Sequence, residues 1–172
     1  MISVGDKFPL FELTGVDASN NFVQISTAEI ANNWAIIYFY PKDFTFICPT
    51  EIVAMDRLAL INKATVIGIS GDNEFCKKAW KEQEGSLITN IHHVLAADCG
   101  LQLSDDLGIV DWKNGVCYRT TLIIDPKGKV QHVTMNALDT GRNAEETLRT
   151  LLALQAGGLT ACSWQDGEAF VG

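Results

Sequence analysis

Cys48-Pro49-Thr50-Glu51 is the combination in this chain best suited to nucleophilic chemistry. Proline fits the first position of a helix, and Glu51 stands where the return arm of a capping box would stand, so the spacing predicts Cys48 at a helix N-terminus. There the unpaired backbone amides and the helix dipole favour a thiolate over a thiol, and the thiolate is the reactive form of cysteine. One helix end rarely suffices alone, so a cationic partner is expected from elsewhere in the chain.

Such a cysteine needs a rigid element to present it. Residues 34–40 are an unbroken apolar run of strand length, rich in β-branched and aromatic side chains, and Pro41 halts it, which predicts a buried central strand. Residues 49–62 carry Ile52, Met55 and Ala59 at near-helical spacing, and residues 64–70 return as a second buried strand. Asp72 or Asn73 caps a further helix running to about Glu84. Strand, helix, strand, helix implies parallel strands with covering helices. Residues 94–97 read as a short strand, with Asp98 capping a helix that ends near residues 107–108. Residues 118–124 and 130–134 form a hairpin around Asp125-Pro126-Lys127-Gly128, a type I turn. Asn143-x-x-Glu146 opens a last helix stopped at Gly157-Gly158. Residues 1–33 suggest small strands and turns. A domain of residues 1–158 is expected, followed by a tail, residues 159–172, that holds Cys162 and Trp164.

Pro41-x-x-x-Thr45-x-x-Cys48, extended to Phe44-Thr45-Phe46-Ile47-Cys48-Pro49-Thr50-Glu51, resembles the active-site signature of the peroxiredoxins, and its Cys-Pro-Thr-Glu ending is similar to the typical two-cysteine, alkyl hydroperoxide reductase C branch. Gly5-Asp6-x-x-Pro9 with Phe11-x-Leu13 resembles the opening of such chains. The resemblance implies an α/β, thioredoxin-like fold: a central mixed sheet flanked by helices, with an N-terminal strand extension and a C-terminal tail. It implies a peroxidatic role for Cys48. Thr45, three residues earlier, would set its hydroxyl beside the sulfur if both lie on one helical turn, and Pro41, lacking a backbone donor, would wall the sulfur from water. Taken singly these are a surface threonine and a strand-ending proline; only the full signature reverses that reading. Glu51 is a helix-cap carboxylate, a member of the site's hydrogen-bonded surround, or both.

Arg119, in Tyr118-Arg119-Thr120-Thr121-Leu122-Ile123-Ile124, matches the family segment whose arginine faces the peroxidatic cysteine, and so supplies the expected cation. In an arbitrary strand it would be a solvated edge residue. Leu159-Thr160-Ala161-Cys162-Ser163-Trp164 resembles the segment of the resolving cysteine, which in typical two-cysteine members serves the other subunit of an antiparallel dimer. The resemblance thus implies a Cys48 sulfenic acid, a Cys48–Cys162 disulfide, homodimers, and possible closure of dimers into a ring. The tail departs from many relatives, with Thr160 where some carry a cysteine and Ser163 where many carry proline. The chain ends at Gly172 without the long final helix of forms prone to over-oxidation, so resistance is expected.

The formal net charge of −8 argues against broad binding to nucleic acid or anionic membranes. The first residues lack the basic stretch and apolar core of a secretory signal, and five cysteines make no secreted disulfide framework, so a cytoplasmic protein is expected. No C-x-x-C pair, phosphate loop or dinucleotide fingerprint occurs. No metal or cofactor is expected; electrons must come from a protein dithiol such as a thioredoxin, a flavoprotein disulfide reductase or a small dithiol adaptor. Cys76, sharing a helical face with Trp80, reads as core, and Cys99 as a structural thiol. Cys117 adjoins the Arg119 strand without a role to transfer. His92 and His93 would point to opposite faces of a strand, and with His132 they form no metal-ligand pattern. Two functions remain: a thiol peroxidase acting on hydrogen peroxide and alkyl hydroperoxides, or a non-catalytic redox sensor or holdase-type ring on the same fold.

Overall fold

The computed structural model describes every residue except Asn62, and divides into two compact units, Met1–Arg142 and Asn143–Gly172. The first opens with a hairpin of β1 (Glu12–Val16) and β2 (Phe22–Ser26). Its turn is the polar 17–21 cluster, where the Asp17 carboxylate accepts from the backbone of Ser19 and Asn21. A four-residue helix, α1 (Thr27–Ile30), follows with a complete capping box of Ser26 and Glu29. Next come β3 (Ala35–Phe39), α2 (Ile47–Ile61), β4 (Thr65–Ser70), α3 (Glu74–Glu82) and β5 (Val94–Ala97). A short α4 (Gln102–Asp106) leads to a two-stranded ladder of β6 (Val110–Asp111) and β7 (Val116–Cys117), then to β8 (Arg119–Ile124) and β9 (Val130–Asn136).

The main sheet runs β2-β1-β5-β4-β3-β8-β9, with β3, β4 and β5 parallel and the remaining pairs antiparallel. The parallel β3–β4 and β4–β5 pairs are those expected from the order of elements, and the mixed sheet is the one the resemblance implies. β3 lies in its interior, between β4 and β8, and is fully buried, as an uninterrupted apolar run requires. Ala35, Ile37 and Phe39 share one core with Ile67, Ile69, Leu122, Ile124 and the N-terminal Phe8 and Phe11. Alternation then sends Ile36 and Tyr38 to the opposite face. Gly68 on β4 makes room for Tyr38: a Cβ there would lie 2.5 Å from the phenol oxygen.

Several local expectations shift. The predicted 49–62 helix begins earlier, at Ile47, and its last predicted residue lies outside the described residues. α3 stops at Glu82, and Asn73, not Asp72, caps it by accepting from the amide of Cys76. Asp98 takes the amides of Leu103 and Ser104, but α4 spans only Gln102–Asp106. His92 and His93 precede β5 instead of lying in a strand, and both turn toward Asp56. Asp125 and Gly128 close the hairpin with a backbone hydrogen bond of 2.9 Å, and Gly128 takes a φ of +77°. Among the described residues no helix is long and apolar enough to cross a membrane.

The second unit is α5 (Ala144–Ala156) and the tail. Asn143 caps α5 by accepting from the amide of Glu146, and Gly157 ends it in the left-handed conformation. Trp164 is only 2% exposed, donates its indole N–H to the Glu168 carbonyl and stacks on Phe170. Arg149 reaches from α5 to the Trp164 carbonyl.

Candidate active site

Cys48 is the second residue of α2 and is buried, because β3 delivers the chain to Pro41 and an irregular six-residue segment turns it into the helix. Arg119 is the first residue of β8, which pairs with β3, so the sheet itself brings it opposite the helix start. Its Nη1 lies 3.4 Å from Cys48 Sγ and 2.6 Å from Glu51 Oε2, while its Nε donates to the Leu138 carbonyl. Burial works against the charge of Arg119, but the contacts with Cys48 and Glu51 outweigh it and push its pKa up, so the guanidinium stays cationic. Nη2 has no protein partner among the described residues.

Glu51, one turn into α2, is buried between two arginines. Its Oε2 takes Arg119, and its Oε1 takes both the backbone N–H and the Nε of Arg142, at 3.0 and 2.9 Å. Both carboxylate oxygens therefore go to Arg119 and Arg142, and among the described residues no backbone amide at the start of α2 donates to Glu51. Arg142 also donates to the carbonyls of Phe39 and Thr120 and to Thr121 Oγ1, and its guanidinium stands over the Tyr38 ring at 5.0 Å. It ties β3, β8 and α2 together around the carboxylate that holds Arg119.

A cleft of about 400 Å³ opens over the sulfur, walled by Pro41, Ile47, Val116 and Leu138, with Thr45 and Arg119 also on its lining. Thr45 is not on a helical turn with Cys48, since α2 starts at Ile47; its hydroxyl donates to the Lys42 carbonyl at 2.9 Å. Asp43, in the same segment, is anchored inward: Lys77 Nζ lies 3.4 Å from its carboxylate, Ser70 Oγ donates to it at 3.0 Å, and the Asp43 amide donates to Asp72. Burial pushes the Asp43 pKa up, and the Lys77 charge works against that shift.

Cys162 lies in the second unit, exposed, two residues before the buried Trp164; Ser163 between them has a φ of +59°. The other thiols divide. Cys117 is buried and donates to the Tyr40 carbonyl, and burial pushes its pKa up to about 12. Cys76 is half-buried, with its pKa raised to about 11 by the same cause. Cys99, read as a structural thiol, is exposed. Among the described residues no group of His, Cys, Asp and Glu is arranged to hold a metal ion.

Arg142 and the Asp56 cluster escape a reading by sequence. Asp56 accepts from the amides and from Nδ1 of both His92 and His93, and His93 Nε2 meets the Tyr38 hydroxyl at 2.7 Å. An ionised carboxylate only accepts, so His93 carries its proton on Nδ1 and its Nε2 accepts a hydrogen bond from the Tyr38 hydroxyl. Burial alone would raise the Asp56 pKa; the histidine donors reverse this and hold it well below the usual carboxylate range.

Residues 4–133 match the AhpC/TSA family. An alkyl hydroperoxide reductase C of Mycolicibacterium smegmatis is 37% identical, over 98% of this chain and 92% of its own length. A putative peroxiredoxin of Bacillus subtilis, YkuU, is 39% identical over 96% of each chain. Among solved structures, the reduced 2-Cys peroxiredoxin of Plasmodium vivax superposes with a TM-score of 0.91 at 31% identity, covering 98% of this chain and 92% of that one. The AhpC of Mycobacterium tuberculosis gives 0.85 at 34%, covering 96% and 99%. The α/β, thioredoxin-like architecture implied by the signature is thus the one the chain adopts. With a buried cysteine at a helix start, an arginine against its sulfur and relatives matched over nearly their full length, the chain belongs to the AhpC/TSA family of peroxiredoxins.

Proposed function

We propose that the protein is a thiol peroxidase that reduces hydrogen peroxide and alkyl hydroperoxides to water and alcohols. The observation that carries this reading is the Arg119 guanidinium 3.4 Å from Cys48 Sγ beneath an open cleft. The Cys48 thiolate attacks the terminal peroxide oxygen and the O–O bond breaks. The alkoxide or hydroxide that leaves takes up a proton, and the sulfur becomes a sulfenic acid. Arg119 is held at Nε and Nη1 by the protein and keeps Nη2 for the peroxide oxygens, where a fixed donor next to developing charge has its largest effect. Pro41 and Thr45 line the approach, and Glu51 orients Arg119.

The Cys162 thiol then displaces the hydroxyl of the sulfenic acid, forming a Cys48–Cys162 disulfide and water; the exposure of Cys162 supports this role. A thiolate fixed in the first turn of α2 reaches a tail thiol only after local unwinding. In our reading the thiol belongs to the other subunit of a homodimer, residues 159–172 act as the tail that delivers it, and dimers close into a larger ring. A protein dithiol of the thioredoxin, flavoprotein reductase or dithiol-adaptor type restores both thiols. The cytoplasm suits a chain whose five thiols are all unpaired. Steady peroxide consumption with such a reductant, lost in Cys48→Ser, is the expected result. Stoichiometric oxidation without turnover would instead favour the redox-sensor reading.

A further inference from the structure

The β6–β7 hairpin stands between two clefts. The one over Cys48 and a second of about 300 Å³ share Pro41, Lys42 and Val116, so they adjoin along one wall. Hydrogen peroxide, little larger than water, needs only a small part of either volume; a water occupies roughly 30 Å³ of liquid. Beyond the shared wall the second cleft is bounded by Gly71, Asp72, Gly100, Leu101, Gly115 and Trp112; the Asp72 carboxylate already accepts from the Asp43 amide. A Cβ added at Gly100 or Gly115 would meet open space, with nothing within 4 Å, whereas one at Gly71 would lie 2.8 Å from Leu101.

Trp112 is 63% exposed, yet its ring is oriented, because Nε1 donates to Asp105 Oδ1 at 3.2 Å. The hairpin carrying it is held by Asp111, whose carboxylate accepts from the amides of Lys113 and Asn114 and from Asn114 Nδ2, and whose carbonyl accepts from Gly115. One end of this small element therefore presents Asn114 and Val116 to the cleft over Cys48, and the other presents an indole with its polar edge already satisfied to the adjoining cleft.

We propose that the second cleft is the subsite for the organic body of bulky, apolar hydroperoxides, above all aromatic ones, and that Trp112 is the specificity-determining residue that favours them over hydrogen peroxide. This rests on the peroxidase reading: the hydroperoxide head sits between Cys48 and Arg119, and its apolar body crosses the Pro41–Val116 wall toward the indole.

The test is the rate constant for the first oxidation of the full-length reduced protein, by rapid mixing with cumene hydroperoxide and, separately, with hydrogen peroxide. Trp112→Ala should lower the cumene-to-hydrogen-peroxide ratio about tenfold, the scale of one aromatic contact. Trp112→Phe should restore most of it, a recovery that a merely structural role would not give. If the ratio is unchanged in Trp112→Ala, or both variants lower it equally, the subsite assignment is overturned while the peroxidase reading stands. If the unsubstituted protein reacts with neither peroxide, the peroxidase reading fails and the subsite falls with it.

Discussion

Replacing Arg142 by methionine keeps most of the side-chain volume and removes the guanidinium that closes the network behind Cys48. Glu51 would lose its Nε contact of 2.9 Å, and Thr121 Oγ1 and the Phe39 and Thr120 carbonyls would each lose a donor in a dry interior. Hydrogen bonds to charged groups contribute about 1.5–3 kcal/mol, and breaking a buried ion pair costs about 3–5 kcal/mol. Glu51 keeps Arg119 as a counter-charge, so the expected loss lies near the overlap, about 3 kcal/mol. Arg119 in turn loses the fixed carboxylate that aims it. Every 1.4 kcal/mol of that aim felt in the transition state is roughly a tenfold change in rate, so the first oxidation should slow by about 10- to 100-fold. Urea unfolding of the reduced protein at one fixed concentration and rapid-mixing oxidation by hydrogen peroxide read the two effects separately. Arg142→Lys should recover little of either, since one ammonium cannot span the same partners. A loss below about 0.5 kcal/mol together with an unchanged oxidation rate would show that Arg142 does not hold the site.

Cys162→Ser should consume one equivalent of peroxide and then stall, and the covalent dimer seen on non-reducing electrophoresis of peroxide-treated protein should vanish; a Cys48 disulfide to Cys76, Cys99 or Cys117 within one chain would refute the assignment. Lys77→Met should destabilise the protein by about 3 kcal/mol by stranding buried Asp43, and adding Asp43→Asn should return much of that loss; simple additivity of the two changes would mean that the pair does not act as a unit. Burial pushes the His93 pKa down despite the neighbouring Asp56. The unfolded chain therefore takes up a proton near pH 6.5 while the folded chain does not, so this contribution to stability is complete above about pH 6.5 and is lost as pH falls toward the folded value. His93→Gln should flatten the stability profile between pH 6.5 and 5, and an unchanged slope would place the acid sensitivity elsewhere.

What the sequence carries legibly is local. Pro49 marks a helix start to within two residues, although Glu51 does not cap it; the 34–40 run marks a buried strand, and the Asp125–Gly128 turn marks a hairpin, because each depends on neighbours within a few positions. Arg119 is legible only through its family segment; its strand alone gives no hint that it meets a sulfur on another element. Arg142 is invisible for a stronger reason. Its partner Glu51 lies 91 positions away, and an arginine just before a capping asparagine looks like any solvated residue. Alternation would part the two histidines only in a strand, and here they precede β5, where both rings reach one carboxylate. Helical spacing likewise does not relate Thr45 to Cys48, because residues 41–46 are not yet helix, although Thr45 still lines the cleft over the sulfur. α1 and the β6–β7 ladder are too short to establish any period.

The packing of Trp164 has a spectroscopic consequence. Its indole is shielded from water and stacked on Phe170 at 6.1 Å, and a left-handed residue is the single link between it and exposed Cys162. In the proposed cycle, covalent capture of that thiol would pull on a short, conformationally restricted tether whose other end is a fluorophore. If Cys162 forms the proposed disulfide, bond formation at sulfur is coupled to the polarity around the Trp164 indole, and the emission of Trp164, isolated by replacing Trp34, Trp80 and Trp112, becomes a clock for that step with no added label.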